Sequence, residues 1–100
     1  MEKLLHIYSQ SFWHAPALVI GQRKALEELA KAIQTALATG QGKCIDAFVN
    51  DGEGYDVYII LEDSGWDEEI WHNLETPYTD EVIPQKGKSP WILLSKEENS

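Results

Sequence analysis

One hundred residues, 43% of them hydrophobic, supply one ordinary core, and the sequence reads as a single domain over residues 1–95 followed by a disordered polar tail at 96–100. Seventeen acidic against eight basic side chains leave a formal charge of −9, a field that repels phosphate backbones and anionic lipid and so argues against direct nucleic-acid or membrane-surface binding. Cys44 is the only cysteine, so no disulfide closes within the chain, and the longest apolar run, Val57 to Leu61, falls far short of the ~20 residues of a membrane helix.

In chain order, Leu4 to Gln10 sets Leu5 and Ile7 against His6, Tyr8 and Gln10, the period-2 pattern of a half-buried strand. After a loop of Ser11 to Pro16, Ala17 to Ile20 is a short apolar run closed by Gly21 and predicts a second strand. The period then changes. From Arg23 to Thr39, Leu26, Leu29, Ile33, Ala36 and Leu37 recur three and four apart with Glu27, Glu28, Lys31 and Gln34 opposite, which predicts an amphipathic helix ended by Gly40. Its apolar stripe is expected to be the main contributor to the core, with Leu29 and Ile33 at the centre.

Cys44 to Asn50 alternates Ile45, Ala47 and Val49 against Asp46, Phe48 and Asn50, and Tyr55 to Glu62 alternates likewise. Between them Asp51-Gly52-Glu53-Gly54 offers two glycines for the positive φ angles of a hairpin loop. Residues 63–89 keep no period, apart from a short helical turn predicted over Trp66 to Leu74 with Ile70, Trp71 and Leu74 inward. Trp91 to Leu94, entered from Pro90, reads as a last strand. The expected fold is α+β: an antiparallel sheet of four to five strands with one helix packed on one face, in the order strand, strand, helix, strand, strand, irregular acidic segment, strand.

The charge is unevenly placed. Eleven acidic residues and no Lys or Arg lie between Asp51 and Gln85, and the same segment holds Trp66-Asp67-Glu68-Glu69-Ile70-Trp71. Such a stretch serves solubility as a solvated face; it also has the makeup of an interaction surface, with Trp66 and Trp71 as aromatic anchors and Asp67, Glu68 and Glu69 steering a basic protein partner. A second candidate is the loop Phe12-Trp13-His14, which, with Tyr55 on the hairpin and Arg23 and Lys24 at the helix start, has the residue types to stack a ring and hold an anion. The same rings also suit a hydrophobic plug over a sheet edge.

Other chemistry finds little support. Glu69-x-x-His72 points two ligands the same way on a helix, but the spacing occurs once, and His6 and His14 lie elsewhere, so no metal is expected. Asp51 to Glu62 has the length of a calcium loop, yet its glycine is misplaced and Val57 and Ile59 occupy ligand positions. No serine sits in a glycine elbow, Gly52-x-Gly54 is too short to cradle phosphate, and Cys44 has no base near it in sequence. The expectation is a non-enzymatic, cofactor-free binding protein, homodimeric or monomeric. With no disulfide, and no secretory leader in Met1-Glu2-Lys3, a cytoplasmic location is expected. By analogy of class, an acidic inhibitor of a toxin or defence effector, of the immunity or phage anti-defence type, comes first; a module sequestering a nucleotide-like signal comes second.

Overall fold

The computed structural model describes residues 1–78 and 87–94. The chain divides into two compact units, one of Met1–Tyr8 and Leu18–Leu61, the other of Ser9–Ala17 and Glu62–Ser100.

In the first unit β1 (Leu5–Tyr8) and β2 (Leu18–Gly21) pair antiparallel, with Leu5 opposite Gly21 and Tyr8 opposite Leu18. Helix α1 spans Arg23–Thr39, the predicted bounds, and Gly40 at φ 103° closes it by donating its N–H to the Ala36 carbonyl at 2.7 Å. The buried face of α1, however, keeps only Leu29 and Ala36 of the predicted stripe. Ala25, Ala32 and Ala36 are buried and Leu29 packs against the core, while Leu26, Ile33 and Leu37 are exposed, Leu37 to 65%. The reason lies across the interface: a Cβ built on Gly42 would stand 1.9 Å from the Ala32 carbonyl oxygen. Helix and strand meet backbone to backbone there, and a seam that close admits alanine and excludes leucine.

Strands β3 (Gln41–Phe48) and β4 (Gly54–Ile60) pair antiparallel, from Gln41 opposite Ile60 to Phe48 opposite Gly54. The register shifts between Cys44 and Ala47, where Asp46 adopts φ 57°. This bulge overturns the predicted alternation: Cys44 and Ala47 are both buried, and Ile45 is exposed. In the hairpin loop only Gly52, at φ 96°, takes a positive φ; Gly54 already belongs to β4. Gly52 donates its N–H to the Val49 carbonyl and Val49 donates to that of Glu53, both at 3.0 Å.

Where the sequence predicts one sheet of four to five strands, the described residues form two antiparallel sheets of two strands each. Among the described residues one parallel backbone bridge joins them, Leu4 with Phe48, in which the Phe48 N–H donates to the Lys3 carbonyl. Phe48 is the last residue of β3. The core gathers Leu5, Ala25 and Ala47, with Leu29, Tyr55 and Val57 packed around them. The Tyr55 hydroxyl donates to the Leu5 carbonyl, which satisfies its polar end.

In the second unit a short helix α2 (Glu69–His72) falls inside the predicted turn, with Ile70 and Leu74 half-buried, while Trp71, predicted inward, is exposed because its indole N–H is tied to the Ser64 carbonyl. Leu74 forms a parallel bridge with Lys88. The predicted last strand is instead a 3₁₀ turn over Pro90–Leu93. Ser89 accepts from the Trp91 N–H at 3.4 Å, and Pro90 sits at the first turn position, where its missing N–H is no loss. The polar tail, Asp80 and Glu81 lie outside the described residues. Among the described residues no helix is long and apolar enough to cross a membrane.

Candidate functional site

The acidic aromatic segment turns sharply before it becomes helical: the Glu68 N–H donates to the Gly65 carbonyl at 2.9 Å, and α2 follows at once. The turn separates the two tryptophans. Trp71 is tied by its indole N–H to the Ser64 carbonyl at 2.9 Å and is 42% exposed. Trp66 is 83% exposed, its ring 5.9 Å from that of His72, and Asp67, Glu68 and Glu69 beside it are all exposed. One ring is therefore anchored and the other is presented among three carboxylates.

Beside them lies a hollow of about 330 Å³ lined by Glu69, Ile70, Asn73, Leu74, Lys88 and Ile92. Lys88 is the residue that sequence order concealed. It stands outside the cation-free stretch, yet the backbone bond from Glu75 to the Lys88 carbonyl, 2.9 Å long, brings it to the same hollow as Glu69. The field of this segment is therefore acidic at the Trp66 turn and mixed at the hollow.

The other predicted site is distributed differently. Phe12, Trp13 and His14 belong to the second unit, and Arg23, Lys24 and Tyr55 to the first. Phe12 and Trp13 are exposed, with the Trp13 ring 5.3 Å from that of His14, whose backbone holds φ 66°. Within the first unit, Arg23 and Lys24 line a hollow with Met1, Glu2, Gln22 and Glu27, and Lys24 lies 3.9 Å from the Glu2 carboxylate. Tyr55 lines another hollow, with His6, Ile7, Tyr8, Val49 and Asn50. Tyr55 and the pair Arg23 and Lys24 thus line different hollows among the described residues.

Cys44 is buried, and burial pushes its thiol up, helped by the negative charge of Glu28 and Asp56 and opposed by Lys3. Such a thiol is held in its unreactive protonated form. Burial also raises the Tyr55 phenol, with Cys44 adding to the effect. Among the described residues no three His, Cys, Asp or Glu side chains come together as metal ligands. No family model, no curated protein and no solved structure matches this chain.

Proposed function

We propose that this protein is a non-enzymatic inhibitor that captures a basic protein partner, such as a toxin or defence effector, through the turn that carries Trp66. The observation behind this reading is the exposure of Trp66 among exposed Asp67, Glu68 and Glu69. An indole left in water gains most from a partner that buries it, and the carboxylates around it favour a basic one. The test uses a partner isolated on the immobilised protein and binding rates at two salt concentrations. Replacing Asp67, Glu68 and Glu69 by their amides is expected to slow association and flatten its salt dependence. Trp66→Ala is expected to speed dissociation and cost about 2 kcal/mol or more. Unchanged rates in both variants would leave the segment as a solubilising face only.

A second reading, a small-ligand module that sequesters a nucleotide-like signal, is supported by the exposed rings of Phe12 and Trp13. Stacking on those rings is insensitive to salt where capture of a basic protein is not. Trp13→Ala should then abolish ligand retention with circular dichroism unchanged.

A further inference from the structure

The hollow of about 430 Å³ between β1 and the β3–β4 hairpin is built around a hydrogen-bond chain with one end open. The Asn50 backbone N–H reaches His6 Nε2 at 3.1 Å. A backbone amide can only donate, so Nε2 accepts and the imidazole proton sits on Nδ1. Nδ1 lies 2.6 Å from the Tyr8 hydroxyl and donates to its oxygen. The phenolic proton of Tyr8 is then committed to nothing among the described residues. The Asn50 side-chain amide, on the same hollow, likewise has no partner among them. Tyr55, by contrast, spends its hydroxyl on the Leu5 carbonyl and contributes a fixed wall, next to Ile7 and Val49.

We infer that this hollow binds an uncharged planar heteroaromatic ring, which accepts the Tyr8 proton and pairs with the Asn50 amide. The volume is that of a small-molecule site. Apolar and aromatic walls suit a flat ring, and a donor fixed in direction by its own acceptor bond suits a ring nitrogen or carbonyl. Among the described residues no Lys or Arg lines the hollow, so a phosphate would find no counter-charge there. Its residues all belong to the first unit, and the Trp66 turn belongs to the second. With the ligand-binding reading it shares Tyr55 and a preference for flat rings.

The probe is adenine, titrated into isotope-labelled protein and followed by NMR chemical shifts. Saturable shifts at Tyr8, Asn50 and Tyr55 are expected, and Tyr8→Phe, which keeps the ring and removes the proton, should weaken binding about fivefold. Asn50→Ala should weaken it by a similar factor. Absence of shifts up to the solubility of adenine, or equal affinity in the Tyr8→Phe variant, overturns the inference. Shifts confined to Phe12, Trp13 and His14 overturn it too, while leaving the second functional reading in place.

Discussion

Gly40 and Gly42 stand two residues apart and are held by opposite constraints. At Gly40 nothing lies within 4 Å of an added Cβ, but φ is 103°; at Gly42 the backbone is ordinary and the Cβ would meet the Ala32 carbonyl. Gly40→Ala should therefore cost about 1 kcal/mol of conformational strain, and Gly42→Ala about 2–3 kcal/mol of overpacking, measured by urea melts. Leu29→Ala should cost about 2 kcal/mol, because Leu29 packs on the core, and Ile33→Ala less than about 1, because Ile33 is exposed. Equal losses for Leu29 and Ile33 would contradict the buried face described above. Cys44 gives a prediction in pH. Its folded thiol keeps the proton to higher pH than the unfolded one, so the unfolded state binds fewer protons once pH exceeds the ordinary thiol range. Stability should accordingly fall as pH rises above about 8.5, with a shallower slope in Cys44→Ala. Alkylation of Cys44 should follow global unfolding.

At the scale of elements, the β3 bulge does the most to set the core. An extra residue between Cys44 and Ala47 turns both inward, and the Asp46 N–H is taken up by the Asp56 carboxylate at 3.2 Å. A β-branched residue tolerates φ 57° poorly. Asp46→Val should cost about 1–2 kcal/mol, whereas Asp46→Gly should be nearly neutral, since glycine tolerates this φ and its backbone N–H still reaches the Asp56 carboxylate. Thermal melts of the two variants isolate the strain, because both keep the backbone N–H that bonds Asp56. Helix α1 was legible in full, since a 3.6 period over 17 residues and a glycine at the end leave no competing structure. Its orientation was not. Amphipathicity names the apolar side, but the depth of contact depends on Gly42, which meets Ala32 across the seam and has no side chain to signal its role. The final segment fails for a related reason: Trp91 to Leu94 is apolar enough for a strand, and the Trp91 N–H bond to the Ser89 hydroxyl, together with Pro90 at the first position, decides for a 3₁₀ turn.

At the scale of the molecule, a net charge of −9 crowds like charges onto a small surface. Added sodium chloride should raise the melting temperature by screening that repulsion, and the triple amide variant at Asp67, Glu68 and Glu69 should melt higher than the parent at low salt. No difference at low salt would show that these carboxylates are too well solvated to repel one another. Charge, the lack of a disulfide, the α+β class, the long helix and the β3–β4 hairpin were determined by the sequence itself, because each follows from composition or from a local period. The exposed Trp66 turn was half legible: the sequence names both tryptophans, and the Trp71 bond to Ser64 ties down one of two exposed rings and leaves Trp66 the more exposed. The His6, Tyr8 and Asn50 hollow was not legible at all. Its members lie up to 49 positions apart, and only the docking of β1 beside the hairpin brings an imidazole between a backbone amide and a phenol. Tertiary structure likewise decided that the strands form two sheets and that alanines, not leucines, fill the helix seam, since bulges, close backbone approaches and long-range hydrogen bonds leave no period along the chain.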